Sequence, residues 1–439
     1  MNSIKIFLKY SLFFWPFIYS NARLVSQQGG TDIYSIFRFI GSEFRILEAS
    51  IFIGINLCIF LYMFLLRRKD DYMIYSIFLL FILVSIVSIF GIAENLAPGS
   101  YIFRSSYELL CPFLVFNIGS LINIDQKMIT NVLKFLFIIM IINTIAIFHQ
   151  FIFLFDGIFV DGDLFRGIFA DAHIQAIFSY SSALFIISTP VLLKKFYFLL
   201  PINIFCAFVS SNEKAAIFFS IIVLGLILQS ISRRNALIVL GVLLVSLLNI
   251  TSLIGLFAPR VLEYSEIFTL QDIVYFSGPI QMGSILLEQL SGSIKNIMFG
   301  IGPALFGGPS CLALIQNNLA PHYIADIFYV EAFGDYNILP LSGFFSKSSF
   351  YLTIIGEFGV IIFFVFLLLL KYIYNILLKS VSLFFKKSLM SVFIFILLCA
   401  TLSSYSVWDS QIILTPLFLF ISYIYKNEKY GEIIEFKNS

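Results

Sequence analysis

Of the 439 residues, 60% are hydrophobic, 54 are phenylalanine and only 12% are charged. An average soluble domain carries about 25% charged residues, so the excess apolar surface has to face lipid. The net charge of +2 comes from 27 basic and 25 acidic residues segregated along the chain, and nothing in that pattern points to nucleic acid.

A helix needs about 20 apolar residues to cross about 30 Å of hydrocarbon. Runs of that length predict an all-α polytopic membrane protein with about twelve transmembrane helices. They lie near residues 4–20, 48–66, 72–92, 106–123, 135–155, 173–190, 196–210, 215–230, 235–258, 348–370, 388–406 and 409–425. The first run, with Lys5, Lys9 and the small residues Ser20, Asn21 and Ala22, faintly resembles a cleavable signal, but reads better as an uncleaved first helix. The chain divides into spans with short outer loops (1–258), a large outside loop (259–347), three further spans (348–425) and a tail (426–439).

Placing both termini in the cytoplasm puts 18 of the 27 basic residues on short inner segments, among them Arg67, Arg68, Lys194, Arg233 and Lys426. That is the bias expected of cytoplasmic loops. Four of the five cysteines, Cys58, Cys111, Cys206 and Cys399, fall in apolar runs, and Cys311 stands alone in the large loop. The spacing gives no disulfide framework, and small hydrophobes inside helices account for them.

The large loop is too long for a connector, and its aromatic and glycine-rich runs are not those of a disordered segment. Within it, IQMGSILLEQL places Ile280, Met282, Ile285, Leu286 and Leu290 near one helical face. That pattern suits a short amphipathic helix, either lying on the outer membrane surface or capping the bundle.

Ionisable groups in or near a bilayer are costly and so informative. The outer side holds nine cations, including Arg104, Arg166, Lys214, Arg260, Lys295 and Lys347. The large loop adds His322 and seven acids: Glu263, Glu266, Asp272, Glu288, Asp326, Glu331 and Asp335. Asp161 and Asp163 form a D-x-D that could hold a divalent metal, although D-G-D is also ordinary turn chemistry. His149, His173 and His322 have no second ligand at metal-binding spacing, and His149 reads as a satisfied residue buried in its helix. No phosphate-cradling G-x-x-x-x-G-K-[ST] loop is present. The glycines of GIGPALFGG read as positions where the backbone turns sharply or approaches a ligand. Glu357, inside the tenth span, needs a partner or a proton.

Three local patterns, in order along the chain, resemble the Wzy-type O-antigen polymerases and the related O-antigen ligases. FRGIFAD, residues 165–171, is similar to the Arg-Gly-Phe pattern of the family's third outer loop. An amphipathic helix followed by NIMFGIGPALF, residues 296–306, is similar to the run into G-x-G in the fifth. SSFYLTIIGEFG, residues 348–359, matches the spacing of the ligase-like motif H-[NSQ]-x-x-L-(x)6-G, with Ser349, Leu352 and Gly359 in place. Ser348 stands where the ligases have histidine, which favours a polymerase. The family arginine expected near residue 279 is missing, leaving Arg260 as the nearest candidate. Lys214, in VSSNEKAA, stands where relatives often carry Ser-Arg, and lysine supplies the charge without bidentate geometry.

The resemblance implies a metal-independent glycosyltransferase without a cofactor, in the bacterial inner membrane with its site facing the periplasm. Its substrate would be an oligosaccharide on undecaprenyl pyrophosphate, and it would work beside a chain-length regulator and the pathway's flippase. Arg166 and Arg260, with Lys214 behind them, would stabilise the departing pyrophosphate. A base among Asp171, His173, His322 and the acids of the large loop would take the proton of the attacking hydroxyl. Gly300, Gly302, Lys347 and Ser348 complete the expected substrate site. Two other classes compete: an O-antigen ligase, and a lipid-linked oligosaccharide flippase. A flippase should show related halves and short outside loops, unlike this chain.

Overall fold

The computed structural model describes residues 49–51, 53–58, 60–61, 72–121, 124, 126–154, 165–169, 172–210, 213–230, 278–306, 311, 314, 349–379, 383–402 and 411–430. Among them the secondary structure is helical, with no strand. The helices are α1 (Tyr72–Ala93), α2 (Gly99–Leu121), α3 (Gln126–Leu154), α4 (Ala172–Ile187), α5 (Pro190–Phe196), α6 (Leu199–Val209) and α7 (Glu213–Ser230), followed by α8 (Gly278–Ser291), α9 (Ile294–Phe299), α10 (Phe350–Lys379), α11 (Leu383–Leu402) and α12 (Gln411–Tyr430).

Three stretches, Tyr72–Ala93, Gln126–Phe153 and Phe350–Lys379, are long and apolar enough to cross a membrane. Their outward faces carry large apolar side chains such as Ile89, Phe90, Ile145 and Ile152, as lipid contact requires. The apolar runs expected from residue 72 to residue 230 and beyond residue 348 are helical over most of their described residues. The second run is helical where described, whereas residues 4–20 and 235–258 lie outside the described residues.

Two starts differ from the reading by run length. α2 begins at Gly99, not near residue 106, so Arg104 belongs to a helix and not to an outer loop. α3 begins at Gln126, not near residue 135, which draws Lys127 and Lys134 into its first turns. In both cases polar residues continue the helix beyond the apolar stripe, because helix propensity does not require apolarity.

α1, α2, α10 and α12 pack together, as do α4, α6, α7 and α11, and the two groups meet where α10 touches α11 and α12 touches α4. Phe113 on α2 sets its ring edge-on to Phe366 of α10 at 5.8 Å and to Phe418 of α12 at 5.6 Å. Such edge-to-face pairs add about 0.5–1.5 kcal/mol each beyond simple contact. All five cysteines are free thiols, with Cys111, Cys206 and Cys399 buried inside helices.

Candidate functional site

Two tight turns stand out, the first held by polar side chains projecting from the helices and the second by close backbone packing. The first is Phe165–Phe169, between α3 and α4. Gly167 adopts φ 59, the left-handed region that favours glycine. Its N–H donates to Gln150 Oε1 at 2.8 Å, and Gln150 Nε2 donates back to the Gly167 carbonyl at 3.1 Å. The Ile168 amide donates to Asn143 Oδ1 at 3.2 Å. From the other side Ser210, just past α6, donates to the Phe165 carbonyl at 2.7 Å and also bonds Gln175 of α4.

Phe165 itself is buried with Ile147, Cys206 and Val209 in a small apolar cluster separate from the main core. A Cβ added at Gly167 would collide with Asn143 Oδ1. This turn therefore has its backbone polar groups satisfied by amide side chains of α3, an expensive use of polar residues in an apolar helix. The residue so positioned is Arg166, half-buried at the turn's apex.

The second turn, Gly300–Phe306, follows α9. Here backbone packs on backbone. Gly300 (φ 77) lies against the main chain of Glu357 and Phe358, and Gly359 (φ 82) lies against that of Met298 and Phe299. The Ile301 amide donates to the Gly356 carbonyl at 2.8 Å, and the Phe306 ring covers Gly356. α10 kinks at Gly359, where φ 82 and ψ 174 leave the helical region. Gly302 (φ 126) turns beside Leu96 and Leu305.

Ala304, Leu305 and Phe306 are fully buried, in a cluster with Ile102 of α2 and with Leu286 and Leu290 of α8. Leu286 and Leu290 thus pack α8 onto this end of the bundle, as the capping placement expects, while Leu287 stays exposed on its other side. Lys295 of α9 reaches Glu94, past the end of α1, at 2.5 Å. Both ends are well exposed, so this ion pair contributes under about 1 kcal/mol.

Beneath the second turn lies a set of buried charges. Glu357 is fully buried and accepts a hydrogen bond from the Ser105 hydroxyl of α2. Arg104 Nε donates to Glu108 Oε1 at 3.0 Å, with the Glu108 side chain wholly buried and that of Arg104 17% exposed. Arg104 Nη2 and Glu357 Oε1 are buried without a hydrogen-bond partner. Ser106 of α2 bonds Ser88 of α1 at 2.7 Å. Elsewhere an apolar cleft opens between α3, α4, α11 and α12, lined by Leu136, Phe178, Ser181, Leu389 and Phe420.

The expected site residues divide accordingly. Arg166, Gly300 and Gly302 sit on the two held turns, and His173 is the second residue of α4, half-buried. Lys214 lies in the first turn of α7. Arg260, Asp171, His322, Lys347, Ser348 and the D-x-D pair lie outside the described residues. His149 is not buried: it is exposed on α3, with its ring 4.4 Å from that of Phe153. Among the described residues no group of three His, Cys, Asp or Glu could hold a metal.

Arg166 and the glycine turn rest on different helix groups, the first on α3, α4 and α6, the second on α2 and α10. The supporting residues Asn143, Gln150, Gln175, Ser210, Ser105 and Glu108 carry no motif. Their one signal in the sequence is polarity inside an apolar run. No protein-family model matches the chain, and no curated protein matches it.

Proposed function

We propose that this chain is an O-antigen polymerase: a membrane glycosyltransferase that moves a growing glycan from undecaprenyl pyrophosphate onto a lipid-linked repeat unit at the periplasmic face. The observation that carries the reading is the fixed placement of Arg166, on a turn whose backbone is hydrogen-bonded by Asn143, Gln150 and Ser210. A guanidinium that merely snorkelled to headgroups would need no such frame. The order of the three resembling motifs along a helical membrane chain supports the same assignment.

In this reaction the anomeric C–O bond to the pyrophosphate breaks as a new C–O bond forms to the acceptor hydroxyl. Arg166, with Arg260 and Lys214, meets the negative charge growing on the departing phosphate. The hydroxyl proton passes to a base drawn from Asp171, His173 and His322. A lipid chain lying in the apolar cleft at Phe178 and Ser181 would run along α4, the helix that begins just after the Arg166 turn.

A deletion strain provides the test. Loss of a polymerase leaves lipopolysaccharide capped with a single repeat unit, and restoring the gene returns a ladder of longer chains. Bare core alone on the gel would instead fit a ligase or a flippase and overturn the assignment.

A further inference from the structure

α9 is six residues long, and four of them, Ile294, Ile297, Met298 and Phe299, are large apolar side chains that stand exposed, Ile294 at 80%. A contiguous apolar patch of this kind marks a surface that something other than water covers. Three contacts fix where it lies. Lys295 pairs with Glu94, whose amide donates to the Phe90 carbonyl at 2.9 Å, so Glu94 tops the row Ile82, Ile86, Phe90 on the exposed face of α1, residues four apart sharing one face. A Cβ at Gly91, in the last turn of α1, would touch Pro303 just beyond α9, and one at Gly359 of α10 would strike the main chain of Met298 and Phe299. Both α1 and α10 are long and apolar enough to cross a membrane. The exposed patch of α9 therefore continues the apolar row that α1 turns outward.

The polar groups around α9 suit a place without water. The Ser293 hydroxyl accepts from the Lys295 amide at 3.1 Å, and Asn296 Nδ2 donates to the Gln289 carbonyl at 3.2 Å. The Gly300 amide donates to the Asn296 carbonyl and the Ile301 amide to the Gly356 carbonyl, each at 2.8 Å. Irregular backbone is tolerated at membrane depth where protein supplies such partners.

We propose that α9 anchors the segment between α8 and α10 in the bilayer: Ile294, Ile297, Met298 and Phe299 lie among acyl chains, with the Lys295–Glu94 pair at headgroup level. The occupant is lipid, and not a protein partner, because the patch runs on from the outward row of α1 and carries at its edge a lysine able to reach headgroups. This placement goes beyond the transferase reading and does not depend on it.

The experiment uses the purified full chain in phosphatidylcholine vesicles, with Trp15→Phe and Trp408→Phe so that one introduced tryptophan reports alone. Should that background lower the yield, the same probes are read as added signal on the native chain. Emission from Ile294→Trp and from Phe299→Trp is expected to fall several-fold when the acyl chains carry bromine, and to change little with iodide on both sides of the vesicle. Stronger quenching by iodide than by bromine would place the patch in water and overturn the proposal. Shielding from both quenchers would mean that protein covers it, another part of this chain or a second copy, and would overturn it equally. If Phe299→Trp disturbs the neighbouring turn and lowers the yield, Ile294→Trp decides alone, since so exposed a side chain is exchanged at little cost.

Discussion

Gly300 and Gly359 both lie at positive φ, and a Cβ at either would strike the main chain just before the other, Glu357 and Phe358 for Gly300, Met298 and Phe299 for Gly359. An alanine at either position pays about 1–2 kcal/mol for its dihedrals and about 1–3 kcal/mol more for overpacking. Gly300→Ala and Gly359→Ala are each expected to lower the melting temperature in detergent by several degrees. The double variant is expected to cost less than the sum, because the first side chain already separates the segments. Gly225→Ala, in α7 with open space around it, is the control and should be neutral or slightly stabilising. Melting of Gly300→Ala at the control temperature would refute the close approach.

The Arg166 turn yields a second expectation. Gln150 satisfies both the N–H and the carbonyl of Gly167, so Gln150→Leu leaves two buried backbone groups without partners. Each such group costs about 1–3 kcal/mol in water-soluble cores, and polar contacts between membrane helices average nearer 0.6 kcal/mol. A loss of about 1–3 kcal/mol in all is expected, together with a shortened ladder. Asn143→Leu should act in the same direction but more weakly, since it removes a single bond to the Ile168 amide. Wild-type ladders from both variants would mean that the frame does not serve Arg166.

Arg166 itself separates a chemical from an anchoring role. If its guanidinium meets the leaving pyrophosphate, Arg166→Ala should lower transfer by roughly 100-fold or more, the scale seen when one stabilising donor is removed. Arg166→Lys should retain part of it, with the charge present but the two-pronged geometry gone. Full-length ladders from both at normal protein level would remove the arginine from the mechanism.

The helices were legible because apolar run length is nearly the whole of what a membrane-crossing segment needs. Their ends were less so: α2 and α3 continue through polar residues that run length ignores. Arg166, Gly300 and Gly302 were marked by their motifs, and Glu357 by the cost of its charge. What GIGPALF approaches was not legible. Its glycines read as a sharp turn or an approach to a ligand; Gly300 and Gly302 do turn at positive φ, but that Gly300 packs on the main chain of Glu357 and Phe358 depends on the kink in α10, which only the fold shows. Gln150 and Asn143 read as scattered polar residues, since only the fold brings them to the turn.

The pair Arg104–Glu108 tests how the buried charges beneath the second turn are balanced. Glu108 is wholly buried and takes the Arg104 Nε at 3.0 Å. Removing one member of a buried pair is more damaging than removing both, because the survivor keeps its desolvation cost and loses its partner. Arg104→Met alone, which strands the wholly buried Glu108, is therefore expected to destabilise by about 3–5 kcal/mol, and Glu108→Leu alone should cost less, since the surviving Arg104 is 17% exposed and already partly solvated. The double variant should recover most of the loss. A double-mutant cycle on thermal unfolding in detergent measures the coupling; additive losses would show that the two side chains are stabilised separately and that the ion pair contributes nothing of its own.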